Sequence, residues 1–325
     1  MGFTGHNPEQ QQNDPSLGPA SRPKIRWWRQ AKFWQFLWQA IVVVLVVAAL
    51  SYLGYNLDHN LKRLGIRLGF KFLESQAGFS IGETPIAYQP SDRYAMAMFV
   101  GFLNSLRVIL SGIAIASLVG FVAGVARLSN NWLLRQIAKV YVETLRNMPL
   151  LLQLLFWYFV FTSVTKSDQG ISWGLLQFSK GGITLLGLQL SPEFSALLTG
   201  LTLYTGTFIA EIVRGGIQSV PKGQWEAARS LGFFPGQTLR LIILPQALRS
   251  MIPSLANQYL NLAKNSSLAI AVGYPDLYAV SSTTFNQTGR AVEVMILISL
   301  TYLSLSLAIA WVLNQFNRRV QLVER

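Results

Sequence analysis

The sequence predicts an all-α polytopic membrane protein of about six spans, and three observations carry that reading. The chain is 51% hydrophobic and only 13% charged, about half the charge of an ordinary globular domain, where roughly 25% is usual. Its mean hydropathy is +0.35. Apolar runs long enough for a bilayer core, about 20 residues each, recur along it. Finally, Lys and Arg gather at the ends of those runs, so the net charge of +13 reads as membrane orientation and not as a nucleic-acid surface. The absence of cysteine excludes disulfides, thiolate metal sites and cysteine nucleophiles. The two histidines, His6 and His59, lie in a polar tail and just beyond a span. No catalytic residue and no metal ligand is assigned.

The elements follow in order. Residues 1–23, "MGFTGHNPEQQQNDPSLGPASRP", are too polar to bury surface against the entropy of ordering and predict disorder. "KIRWWRQAKFW" is basic and aromatic, an interfacial anchor, so that 1–33 forms a tail and anchor. The first transmembrane helix is expected over 34–56, with Leu37–Tyr55 as its apolar run. It starts too far from the N-terminus, and without a small-residue cleavage site, to be a removed signal peptide. In 57–93, Arg63, Arg67 and Lys71 repeat at i+4, offset from Leu61, Leu64, Leu68 and Phe72. That pattern fits an amphipathic helix lying on the membrane surface. Gly65 and Gly69 weaken it, and a solvated strand or loop is the alternative. Further spans are expected over Tyr94–Ala126, Val140–Val164, Glu193–Val213, Ile252–Val272 and Ala291–Asn314, within a core of 94–320. With the N-terminus inside, the inner segments carry sixteen Lys and Arg and the outer ones eight, which places both termini in the cytoplasm. No internal repeat is visible.

Between two of these spans lies "GQWEAARSLGFFPGQTLRLIILPQALR", Gly223–Arg249, within a cytoplasmic loop of 215–249. Pro221 near a helix start, good helix formers and Gly232 predict one short helix. "FPGQTLRLIIL" predicts a second, interrupted by Pro245. Trp225, Ala228 and Leu231 share one face, and Ala227 and Ala228 offer a small-residue surface that a partner's backbone can approach. The alternative is an amphipathic connector resting on the bilayer.

At this point the residues carry a resemblance. Glu226, Ala227, Ala228, Gly232, Ile242, Leu244 and Pro245 stand at the spacing of the EAA loop of ABC importer permeases. "GFLNSLRVIL", "YVETLRNMPLLLQL", "AEIVRGGIQSVPKGQ" and "LAKNSSLA" resemble the polar amino-acid branch of that family. The stretch "LGFKFLESQAGFSIGETPIAYQPSDRY" is similar to general L-amino-acid permease subunits. The likeness covers most of 95–320. Two departures concern the subgroup: a single span before the five-span core, and a shorter loop at 165–192. The resemblance implies a type I ABC importer transmembrane domain in the bacterial inner membrane, forming the path of an ATP-driven, binding-protein-dependent amino-acid importer. It implies that Gln224, Trp225, Glu226, Ala227, Ala228, Ser230, Leu231 and Gly232 couple to a separate ABC ATPase. Glu226 would pair with a base there, and Gly232 would allow the bend. The chain has no GxxxxGK[ST] phosphate cradle, so ATP hydrolysis, with its ATP and magnesium, is expected on that ATPase, and the chain itself is expected to be no enzyme and to hold no cofactor. Membrane lipid surrounds it, a second permease joins it (a heterodimer in preference to a homodimer), and a periplasmic amino-acid-binding protein delivers substrate, in part through 61–73.

Ionisable residues in a span mark function by default. Tyr204, Thr207, Glu211 and Arg214 share one helix face; Glu143, Arg146 and Gln153 form a second polar face; Asn257, Asn261 and Lys264 form a third. Asn104, Gln153, Tyr204, Thr207 and Glu211 are expected along the substrate path. Glu143, Arg146, Arg214 and Lys264 are expected to gate or pack. For Glu211 two readings stand: a substrate ligand, or an i,i+3 partner of Arg214. The rival function is an ATP-independent secondary transporter or channel. It would need ion-coupling carboxylates or inverted repeats, where one membrane carboxylate, Glu211, is seen and no repeat.

Overall fold

A computed structural model describes residues 31–63, 68–165, 171–173, 176–179, 182–185 and 188–320. The tail and most of the anchor therefore lie outside the described residues. The chain divides into two units, Met1–Leu68 and Gly69–Arg325. The first contains α1 (Ala31–Arg63), apolar on every side and exposed along most of its length. A helix with no polar face needs lipid or another protein around it. Its end carries an exposed Lys62–Asp58 pair at 2.6 Å.

The second unit is built around α2 (Tyr94–Ala126) and α5 (Pro192–Gln218). Small residues let these two approach closely. A Cβ on Gly120 would sit 2.5 Å from Ile209 Cβ, and one on Gly124 would sit 2.7 Å from the Ala210 carbonyl oxygen. α5 starts where the sequence provides a cap: the Ser191 hydroxyl accepts from Phe194 N at 3.0 Å, and Pro192 takes the first turn. α8 (Leu244–Asn265), α9 (Leu277–Thr288) and α10 (Ala291–Val320) complete the bundle. One core joins Ile109, Ile209, Val213, Ile243 and Met251; another joins Leu154, Leu197, Leu201 and Tyr274.

The structure revises several elements. The expected span Val140–Val164 is two helices, α3 (Trp132–Arg146) and α4 (Leu150–Thr165), bent by 107°. Pro149 supplies no N–H and disfavours helix at the residue before it. Gln153 fills the corner, its amide donating to the Leu145 and Met148 carbonyls at 2.8 and 3.1 Å. The expected span Ile252–Val272 is the end of α8 followed by a 3₁₀ segment, Ser266–Val272, closed by Gly273 at φ 75°. Four described helices are long and apolar enough to cross a membrane, or five if the bent pair counts as one span. α8 falls short because Asn257, Gln258, Asn261 and Lys264 dilute its apolar run. Nor is the helix expected over 61–73 continuous. α1 ends at Arg63, residues 64–67 lie outside the described set, 68–70 are irregular, and Lys71–Glu74 form one 3₁₀ turn. Lastly, the segment after α4 holds a four-stranded antiparallel meander, β1 (Ile171–Trp173), β2 (Leu176–Ser179), β3 (Gly182–Leu185) and β4 (Leu188–Leu190), which the all-helical reading did not anticipate.

Candidate functional site

Two short elements project between α5 and α8. The first is α6 (Lys222–Ser230), the second α7 (Pro235–Gln237), which runs through a π-helical turn, Thr238–Ile243, into α8. The join between α6 and α7 is set by Gly232 at φ 78°. Its N–H donates to the Arg229 carbonyl at 3.0 Å and Phe233 N donates to the Ala228 carbonyl at 3.1 Å. This paired closure ends a helix and needs a left-handed residue at the glycine position. Pro245 does not interrupt the second arm as expected. It occupies the first turn of α8, where a missing N–H costs least, and the wide π turn precedes it.

The elbow has a root and a free face. Trp225 packs on the core of Ile209, Val213, Ile217 and Met251, and Ala228 is only 1% exposed. Ala228 therefore seats the elbow on its own chain and offers no surface to a partner, a correction to the expected pair of small residues. Leu231, expected on the same face as Trp225 and Ala228, does not follow them inward. It follows the last helical residue and stands 76% exposed, beside Phe234 at 72%. Gln224, Glu226, Ala227 and Ser230 are exposed. The Glu226 carboxylate meets no cation or donor among the described residues, whereas Gln224 Oε1 accepts from Gln246 at 3.2 Å and ties the two arms. Phe234 was missed because its position beyond Gly232 lies outside any helical period.

The polar residues of the bundle do not form one cluster. Asn104 is fully buried, its amide donating to the carbonyls of Glu83 and Pro275, each at 2.9 Å. Gln153 braces the α3–α4 corner, and Thr207, also buried, donates to the Tyr204 carbonyl at 2.7 Å. Tyr204 lies edge-on to Phe208, ring centroids 5.0 Å apart. Glu211 is neutralised twice: one oxygen meets Arg127, the C-cap of α2, and the other accepts from Arg214 Nη2 and Nε at 2.8 and 3.1 Å. Arg214 Nη1 continues to Gln218 at 2.6 Å. Burial first, and then the Arg214 charge, hold the Arg127 guanidinium below its usual range. Arg146 lies over the Phe208 ring at 5.1 Å, and Glu143 faces Lys139 at 3.9 Å. By contrast, Asn257, Asn261 and Lys264 form an exposed polar stripe on α8.

Residues missed in the sequence lie around the start of α9. Asp276 caps it, accepting from Ala279 N at 2.8 Å and from the Tyr302 hydroxyl at 3.2 Å. Burial pushes the Asp276 carboxyl up to about 7. Arg107, in the middle of α2, pairs with Glu83 at 3.0 Å. An arginine inside an apolar run is a signal the sequence did contain.

Comparison with known proteins places this architecture. Residues 97–322 match the family model for the inner membrane component of binding-protein-dependent transport systems. A putative amino-acid ABC transporter permease protein, YhdX of Escherichia coli, is 38% identical across 94% of this chain and 96% of its own length. The general L-amino acid transport system permease protein AapQ of Rhizobium johnstonii is 36% identical across 90% and 94%. A crystal structure of an amino acid ABC transporter with histidines superposes with a TM-score of 0.56 at 28% identity, covering 70% of this chain and 95% of the other. An inward-facing MetNI methionine ABC transporter, at TM-score 0.55 and 20% identity over 70% and 97%, shares the fold. On the family match and the near full-length likeness to its relatives, the chain belongs to the inner membrane components of binding-protein-dependent transport systems.

Proposed function

We propose that the chain is one permease subunit of an ATP-driven amino-acid importer in the bacterial inner membrane. It works with ABC ATPase subunits, a second and different permease, and a periplasmic binding protein. The observation that carries this reading is the elbow: a rooted two-armed projection whose free face holds an unpaired carboxylate, Glu226, and two bare apolar side chains, Leu231 and Phe234. Buried apolar anchors beside a charge pair are how protein interfaces concentrate energy. Gln224, Ala227 and Ser230 border that face; Trp225, Ala228 and Gly232 transmit its movement to the core. The Lys and Arg bias supports a cytoplasmic elbow and cytoplasmic termini.

The polar stripe Asn257, Asn261 and Lys264 has no place against lipid, where each polar group costs free energy. We assign it to the water-filled path between the two permeases. Asn104, Gln153 and Thr207, enclosed and self-bonded, hold the walls of that path, and Arg146, Glu143 and the Glu211 cluster hold its inner end. The test is reconstitution of the purified complex in proteoliposomes with radiolabelled amino acids. Uptake is expected only with ATP inside the complex's ATPase compartment and binding protein on the opposite side. Uptake at the same rate without ATP would establish the secondary-transporter alternative instead.

A further inference from the structure

Arg107 lies thirteen residues into α2, far from either end of a helix of 33 residues. A guanidinium at that depth requires a counter-charge, and the chain supplies one from an unexpected place. Residues 69–93 contain little regular structure, one 3₁₀ turn and an isolated bridge between Gln76 and Arg93. This strap folds over the bundle and delivers Glu83 to Arg107 at 3.0 Å. The second Glu83 oxygen accepts from the hydroxyl of Ser191, the α5 cap. Phe194 stacks beneath the Arg107 guanidinium at 4.4 Å from its centroid. The Asn104 amide holds the Glu83 main chain, while its own oxygen, buried, has no hydrogen-bond partner.

A guanidinium backed by an aromatic ring, with a hydroxyl donor alongside, is a receptor for a carboxylate. It is not sealed: the Arg107 side chain is 39% exposed and that of Glu83 18%. A separate cleft of about 390 Å³ lies beside the strap, lined by Phe79–Gly82, Gly273, Pro275 and Thr283 but by neither Arg107 nor Glu83. The base of the strap is fixed by backbone bonds from Ala77 N to the Asp92 carbonyl and from Gly78 N to the Pro90 carbonyl, each at 2.8 Å, and by the cluster of Ala77, Phe79, Ile81, Tyr88 and Tyr94, whereas its tip is held to the bundle through Glu83.

We infer that Glu83 is a resident occupant of a carboxylate site centred on Arg107, and that the carboxylate of an arriving amino acid displaces it and releases the tip of the strap. The identity of the displacing ligand rests on the amino-acid reading above; the latch itself does not. No bond is made or broken covalently: one carboxylate exchanges for another on the same guanidinium.

The cysteine-free sequence allows a single spin label at exposed Thr84, as Thr84→Cys, beside Glu83, in the full importer complex held in lipid nanodiscs. In the otherwise native chain the label is expected to be constrained, and to become mobile on adding millimolar L-glutamine but not L-glutaminamide, which lacks the carboxylate. Glu83→Gln keeps the size and the Ser191 contact but removes the charge. Its label is expected to be mobile from the start and indifferent to either compound. Arg107→Lys, with a point charge in place of the planar fork, is expected to weaken the response to L-glutamine about 10-fold. Acetate as a bare carboxylate separates the two claims. Release by acetate but not by L-glutamine sustains the latch and removes the amino-acid reading. A constrained label in Glu83→Gln, release by L-glutaminamide as well as by L-glutamine, or no release by either acetate or L-glutamine, overturns the latch.

Discussion

A Glu226→Lys variant is expected to insert and assemble its helices normally while losing at least about 30-fold in uptake. The first half follows from the fold: Glu226 is exposed and bonds to nothing among the described residues through its carboxylate, so reversing its charge leaves the elbow's closure at Gly232 and its root at Trp225 and Ala228 untouched. The second half follows from the proposed docking. Losing one partner of a desolvated interfacial charge pair costs about 2–5 kcal/mol, and each 1.4 kcal/mol is tenfold in affinity. Uptake by the variant, compared at equal membrane content, checks the claim. Normal uptake would remove Glu226 from the docking face.

Replacing Glu211 with Gln is expected to destabilise the bundle. The substitution leaves Arg127 and Arg214, both partly buried, beside each other without a shared carboxylate. Breaking a buried pair costs about 3–5 kcal/mol, and the partial exposure of these groups brings the figure to about 2 kcal/mol. For a core of this size that is about 4–8 °C in Tm, readable by thermal unfolding in detergent. Adding Arg127→Gln removes the surplus charge and is expected to restore part of the loss. A substrate ligand would behave in the opposite way, with Tm unchanged and substrate affinity reduced. The same pair of measurements therefore separates the two readings that the sequence left open for this residue.

The contrast between α2 and α3–α4 shows what the sequence makes legible. Tyr94–Ala126 was readable to the residue because its apolar run, despite Asn104 and Arg107, is long and flanked by Arg93 and Arg127. Val140–Val164 is apolar on average in spite of Glu143, Arg146 and Gln153, and averaging over it hid Asn147, Met148 and Pro149, where the backbone turns. Hydropathy senses the solvent and not the direction of the chain. The meander after α4 was present as alternation (Ile171, Trp173, then Leu176, Phe178, then Ile183, Leu185), a period of two that a search for spans passes over. In the elbow, fixed residue types at fixed spacing disclosed the element and its closing glycine. They could not disclose that Ala228 faces inward, because burial there depends on how α6 packs against the later turn Thr238–Ile243. Arg107 and Glu83 illustrate the same limit. One was conspicuous, but its partner lies in a strap whose sequence carries no sign of where it folds.

The central claim is that a separate ATPase grips the elbow from the cytoplasm. Ala227 is exposed on its free face, and the chain has no cysteine of its own, so Ala227→Cys provides a single reporter. In the assembled complex, a short bifunctional thiol cross-linker is predicted to join this position to an ATPase subunit, with the yield changing when ATP is bound. Reaction of the same cysteine with a membrane-impermeant maleimide applied outside intact spheroplasts, with no adduct to any ATPase, would contradict the account.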